Sequence, residues 1–224
     1  MKLEKIIQKV RKLVNTSQSV LDDNRIIDLI NESYLEIQTE LANEGIDVFG
    51  AIRYTDLIAN QEFYGLPQDA LAILRLEVNY DDPSDENKWK KVDETDLPNI
   101  PYEWFRLLKS QPRSRPLMDL FAGGFTIFPR PTETKIAGLR IWYIPKQPDF
   151  TSPNDDIPYQ IDKYWRVLAF GAAYNYLEEI GHPLAQRRFE IYRLYLGKMI
   201  EDLKTEVVEP IKTSVHNYFN SGWL

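Results

Sequence analysis

The apolar residues of this chain change period twice, and that restricts the folds open to it. Over residues 3–41 and again over 161–203 they recur at helical spacing, whereas between 73 and 144 they alternate with polar residues at every second position. A stripe repeating every three to four residues lines up on one side only in a helix, and a two-residue alternation does so only in a strand. Helices are therefore expected at both ends and strands in the middle.

Leu3, Ile6, Ile7, Val10, Leu13 and Val14 place a first amphipathic helix, with Lys5, Lys9 and Lys12 outside its stripe. After a polar break at 15–19, Asp22 or Asp23 caps a second helix whose Ile26, Ile30, Tyr34, Ile37 and Leu41 run toward Gly45, and the two helices are expected to pack as a hairpin. Near the other end Ala169, Gly171, Ala172 and Ala173 lie among Tyr164, Trp165, Tyr174 and Tyr176, small residues that let a neighbouring helix come close. Gly181, His182 and Pro183 end that helix and begin another, with Pro183 in its first turn. Ala185, Phe189, Tyr192, Leu196, Met199 and Leu203 carry it onward until Pro210, the expected stop, which leaves a tail over 211–224.

In the middle, the strand expected over 73–80 sets Leu74, Leu76, Val78 and Tyr80 on a buried face and Arg75, Glu77 and Asn79 on the other, and 138–144 repeats the pattern with Leu139, Ile141 and Tyr143. Residues 117–131, LMDLFAGGFTIFPRP, read as a hairpin in which Gly123 and Gly124 supply positive φ angles. Shorter strands are expected near 52–57 and 88–92, and 147–159, QPDFTSPNDDIPY, reads as an extended linker. Each helical pair has one apolar side to bury, so the expected class is α+β: a helical bundle from an N-terminal pair (1–45) and a C-terminal pair (158–208). An antiparallel β lobe is inserted over 46–157, and 209–224 forms an extension.

Composition narrows the chemistry. Against 27 basic residues stand 34 acidic ones, a formal charge of -7, opposite in sign to the field that non-specific DNA binding uses. There is no cysteine, and His182 and His216 are the only histidines, which removes disulfides, thiolate nucleophiles and cysteine metal sites. The longest uncharged apolar stretch, 167–177, falls short of the ~20 residues of a membrane span. The opening MKLEKIIQKVRKLVN interleaves charges with apolar residues, unlike a signal peptide, so a soluble protein that is not exported is expected.

Asp81, Asp82, Asp85 and Glu86 concentrate carboxylates as calcium sites do, but they match no EF-hand spacing and read as a solvated turn. Arg106, Lys109, Arg113 and Arg115 form a local basic patch with no nucleic-acid motif around it. Glu178 and Glu179 are adjacent on a helix and point about 100° apart, so they do not flank one scissile bond. No nucleophile elbow, phosphate-binding loop or dinucleotide fingerprint occurs, and no catalytic, cofactor or metal site is assigned. Tyr218, Phe219, Trp223 and Leu224 crowd the tail as large apolar anchors and are nominated for partner binding. The alternative is that the tail folds back on its own subunit.

Three stretches carry a family likeness: RIIDLINESYLEIQTELA (25–42), NQEFYGLPQDALAILRLEV (60–78), and the long segment IWYIPKQPDFTSPNDDIPYQ through GKMIEDL (141–203). In these the chain resembles the head-to-tail adaptor (connector) proteins of tailed bacteriophages, including the longer tail tubular protein A type of short-tailed phages. The resemblance implies a non-enzymatic virion subunit forming a ring, commonly of twelve copies, between the portal protein and a tail or nozzle protein. It further implies a lumen through which DNA passes, and a terminal extension gripping the portal, here matched to 211–224. No cofactor and no membrane are expected.

Three other readings stand beside it. A neck stopper or tail-completion protein keeps the chain in the virion at a different level. A virion-carried cell-wall hydrolase requires two carboxylates separated across a cleft. A DNA-binding module would use the basic residues from Arg106 to Arg115.

Overall fold

The computed structural model describes residues 1–94, 112–121 and 123–220, with side chains to residue 205 in the last helix. Its residues divide into two units, Met1–Phe49 with Lys146–Leu224, and Gly50–Pro145. Helices build the first and strands the second, an α+β fold with the helices contributed by both ends of the chain.

The helical unit contains α1 (Leu3–Val14), α2 (Asp23–Asn43), α3 (Trp165–Glu179) and α4 (Ala185–Asn220). In α1 the stripe Leu3, Ile6, Ile7 and Val10 is buried as its spacing predicts, and Asn15 closes the helix in the left-handed conformation, φ 55°. Asp22 caps α2, its carboxylate accepting the Arg25 N–H at 2.8 Å. Replacing Asp22 by Ala leaves that amide without its partner and is expected to lower stability by about 1 kcal/mol. A urea titration followed by helical circular dichroism checks this, and an unchanged midpoint contradicts it.

The hairpin expected from α1 and α2 is subordinate to a different arrangement, because both pack chiefly on α3 and touch each other little. Apolar and small side chains, Val167, Leu168, Ala169, Gly171, Ala172, Ala173 and Leu177, are buried all round α3, the signature of a central helix. Gly171 is where α2 and α4 converge on it: a Cβ there would lie 2.7 Å from Ser33 Oγ, 2.9 Å from Ser33 Cβ and 3.1 Å from the Tyr192 ring. The small-residue cluster is thus the physical condition for three helices meeting at one level.

Between α3 and α4, His182 accepts the Leu184 N–H on Nδ1 at 3.1 Å and the Ala185 N–H on its carbonyl at 2.9 Å. Helical backbone therefore begins at Ala185, and Pro183 sits in the preceding turn rather than the first helical turn. Tyr192, Leu196, Met199 and Leu203 are buried on one side of α4 as expected. The expected stop at Pro210 is corrected: α4 runs through it to Asn220. Proline removes one backbone donor and crowds the preceding turn, yet helix on both sides keeps its remaining hydrogen bonds.

Residues 147–159 are extended, as their composition suggests, but bound along the helices. The Asn31 side chain exchanges hydrogen bonds with the Phe150 backbone, 2.9 and 2.8 Å, and the Phe150 ring stacks on Tyr34 with centroids 5.0 Å apart. Gln38 Oε1 accepts the Gln147 N–H at 2.6 Å, and the Asp155 carbonyl accepts the Leu3 N–H at 3.0 Å.

The second unit holds two four-stranded sheets. One has the order β1 (Ala51–Leu57), β8 (Lys135–Pro145), β3 (Ala70–Val78), β4 (Lys90–Lys91); the other runs β2 (Phe63–Gly65), β7 (Gly124–Phe128), β6 (Leu117–Phe121), β5 (Asp93–Glu94). All pairings are antiparallel except the two-residue parallel contact of β5 with β6. Leu57, Leu76, Val78, Leu139 and Ile141 from the first sheet share one core with Tyr64, Met118, Phe125 and Ile127 from the second. The sequence alternation holds along β8 but not through β3, where pairing with β8 slips between Ile73 and Arg75. That bulge places Ile73 against the core in the position expected of Leu74. In the predicted β6–β7 hairpin only Gly123 has positive φ, 84°. Gly124 is needed for space instead, since a Cβ on it would come within 2.5 Å of the Tyr64 carbonyl oxygen.

Candidate functional site

The face of the β1–β8–β3–β4 sheet that points away from the shared core is the most organised polar surface among the described residues. The alternation predicts Arg75, Glu77 and Asn79 to face solvent, but Glu77 is 5 % and Asn79 0 % exposed. Strand register explains Glu77: Ile52, Trp142 and Arg75 align in one cross-strand row, and Tyr54, Arg140, Glu77 and Lys91 in the next. Opposite charges are thereby set side by side with aromatic rings between them.

Arg140, 9 % exposed, is the hub. Its Nε donates to Glu77 Oε2 at 2.6 Å and a terminal nitrogen donates to Glu86 Oε2 at 3.0 Å. The guanidinium lies over the Trp89 ring, 4.3 Å from its centroid, and 5.8 Å from that of Trp142. Arg75 forms an ion pair with the other Glu77 oxygen and covers Trp142 at 5.3 Å, while the Trp142 indole N–H points at Glu77 Oε2, 3.4 Å away. Tyr54 meets Trp89 edge-on at 6.2 Å. Two guanidinium groups and two carboxylates balance, so the charge is neutralised where it is buried. Ile52, Tyr54 and half of Arg75 remain exposed at the margin. Rigid Trp, Tyr and Arg side chains of this kind supply most of the energy at protein–protein contacts. None of Tyr54, Trp89, Trp142 or Arg140 was nominated from the sequence. The available signal was the recurrence of Arg75 and Glu77 on β3, and of Arg140 and Trp142 on β8, at alternate positions facing away from the core.

The carboxylates of the DDPSDEN loop serve local structure. Asn79 Oδ1 accepts the Asp81 and Asp82 N–H groups at 3.0 Å each and its Nδ2 donates to the Asp82 carbonyl at 2.6 Å. Asp82 takes the Ser84 hydroxyl at 2.6 Å and its N–H at 3.1 Å, bonds that hold its carboxyl below the usual carboxylate range. Asp85 accepts the Asn87 N–H at 3.0 Å, Asp81 lies 4.0 Å from Arg113, and Glu86 joins Arg140. No group of three or more His, Cys, Asp or Glu side chains is placed to hold a metal ion among the described residues.

Of the basic patch, Arg113 donates to Thr132 and lies over the Tyr80 ring at 5.4 Å, and Arg115 is exposed. Arg106 and Lys109 lie outside the described residues. Glu179 accepts Arg25 at 2.5 Å, and the Glu178 carboxylate pushes the neighbouring Tyr174 phenol up to about 12. The two are thus engaged separately within the helical unit. Tyr218 and Phe219 fall in the backbone of α4 with their side chains outside the described residues, and Trp223 and Leu224 are outside them altogether. No described helix is long and apolar enough to cross a membrane.

The described residues thus comprise a helical unit assembled from both ends of the chain and a β unit from its middle, with an aromatic–arginine face on one sheet. The chain belongs to the SU10 adaptor protein family, whose model matches residues 1–211. It is accordingly a phage head-to-tail adaptor, a structural component of the virion that interacts with other head and tail proteins. No curated protein matches the chain.

Proposed function

We propose that this adaptor assembles as a ring of twelve copies between the portal and the tail, with the helical pairs forming the ring body and DNA passing through the lumen. Family membership over residues 1–211 carries the reading. The formal charge of -7 supports it, since a wall that does not attract phosphates lets DNA slide. Residues 211–224 grip the portal through Tyr218, Phe219, Trp223 and Leu224, whose apolar bulk suits partner pockets.

Purified chain mixed with portal rings is expected to form a second ring on them, visible by electron microscopy. A chain ending at residue 210 is expected to bind portal at least on the order of tenfold more weakly. Equal binding by the shortened chain moves the grip elsewhere, and failure of the full chain to assemble on portals removes the ring itself.

A further inference from the structure

A ring closes when each copy presents two different surfaces, one to each neighbour, in a head-to-tail contact. Two helix faces of unpaired and opposite charge are present in the helical unit. On α1, Lys5, Lys9 and Lys12 follow at intervals of four and three residues, which sets them on one side of the helix, away from buried Leu3, Ile6, Ile7 and Val10. Lys5 and Lys12 are exposed and Lys9 half-buried. None of the three side chains makes an ion pair or hydrogen bond among the described residues. Neighbouring charges are accounted for: Lys2 pairs with Asp156 at 2.8 Å, Arg11 pairs with Asp23, and Glu4, at the flank, accepts Gln8 at 3.2 Å.

On α2, Asp28, Glu32 and Leu35 repeat the same four-and-three intervals on the side opposite Ile26, Ile30, Ile37 and Leu41, and all three are exposed. Asp28 has no ion-pair partner among the described residues, and Glu32 accepts only Asn175 Nδ2, at 3.5 Å. The one cation of α2, Arg25, is bonded to Glu179 at 2.5 Å and interacts more weakly with Asp28 and Glu32, so it leaves the stripe without an ion-pair partner. Glu40 and Glu44 are paired with Arg193 and Lys204. Since α1 and α2 each lie against α3 and touch each other little, the two stripes look outward separately.

From this we infer that the lysine stripe of α1 docks on the Asp28–Glu32 face of α2 in a second copy of the chain. Equal spacing places Lys9 opposite Glu32 whichever way the helices run, with Asp28 meeting Lys5 or Lys12. The aliphatic stems of the lysines cover Leu35. The inference rests on the ring reading and adds which faces meet. Exposed pairs contribute little affinity one by one, but opposed stripes select the partner and its orientation, and the contact weakens as salt rises.

Assembly of the full chain, alone and on portal rings, followed by native mass spectrometry, tests this with two variants. One carries Lys5→Glu, Lys9→Glu and Lys12→Glu; the other carries Asp28→Lys and Glu32→Lys. Each alone is expected to lose assembly at least about tenfold at moderate salt while keeping wild-type helical circular dichroism. A one-to-one mixture is expected to regain it, because every junction of an alternating ring then brings acid to base. Wild-type assembly by either variant alone, or no rescue on mixing, overturns the pairing while leaving the ring reading intact. Failure of the unsubstituted chain to assemble overturns both. Should a multiple variant lose helicity, Lys9→Glu and Glu32→Lys singly and mixed give the same pattern of loss and rescue.

Discussion

Gly171→Leu is expected to unfold the helical unit, with Gly171→Ala an intermediate step toward it. A bare Cβ at this position already meets Ser33 Oγ at 2.7 Å and Ser33 Cβ at 2.9 Å. Ser33 is fully buried on α2, its hydroxyl donating to the Leu29 carbonyl at 3.1 Å, so it has nowhere to turn. The Tyr192 ring, 3.1 Å away on the α4 side, blocks retreat in that direction. For Ala, overpacking of ~1–3 kcal/mol is partly offset by a helix propensity about 1 kcal/mol better than that of Gly. For Leu, the added branch has to separate three helices, and a loss above ~3 kcal/mol consumes much of a total stability of ~5–15 kcal/mol. Urea unfolding followed at the helical circular-dichroism band reads this. A Gly171→Leu chain with the wild-type midpoint would show that α2 and α4 do not close on α3 as described. Ring assembly should fall with it, because the α1 and α2 stripes are held in place by α3.

Arg140→Met is expected to destabilise the β unit by ~3 kcal/mol. The substitution keeps volume along the stem and removes the guanidinium, leaving Glu77, 5 % exposed, with Arg75 as its remaining cation. Arg75 is 47 % exposed over its side chain and is screened by water, so it compensates only in part. Trp89 and Trp142 both lie under the Arg140 guanidinium and lose its cation–π contact, ~0.5–2 kcal/mol for the pair. Those two indoles make tryptophan fluorescence the right probe, since the helical unit can unfold in a separate transition. The double variant Arg140→Met with Glu77→Leu is expected to recover most of the loss, because a buried ion pair is often no better than a packed apolar pair of like volume. A double variant no more stable than Arg140→Met alone would mean that the two charges do not act as a pair.

Much of this architecture was legible in the residues. Helical spacing over 3–14 and 26–41 appears as α1 and α2 with the expected side buried, and Asp22 caps where an aspartate was expected. Leu139, Ile141 and Tyr143 all enter the β core. The stretches resembling phage adaptors fall within the 1–211 span of the family model. Other features were not legible, the continuation of α4 through Pro210 among them. Leu74 loses its core position to Ile73 through a one-residue slip, which depends on pairing with β8 rather than on β3 itself. The α1–α2 hairpin gives way to packing around α3, because a helix apolar all round competes for both stripes. Arg75 and Glu77 read as a solvated face, although they belong to the candidate docking surface.

Periodicity belongs to the chain alone, since 3.6 and 2 residues per repeat follow from backbone geometry, so the alternation of helix and strand and the apolar side of α1, α2 and β8 were settled by residue order. Whether the opposite side meets water was not. Glu77 is buried because Arg140, 63 positions away, lies beside it in the sheet, and Gly171 is required because α2 and α4 approach the same point. Burial of a polar face and the need for a missing side chain are properties of neighbours in space, and those neighbours exist only after the chain has closed on itself.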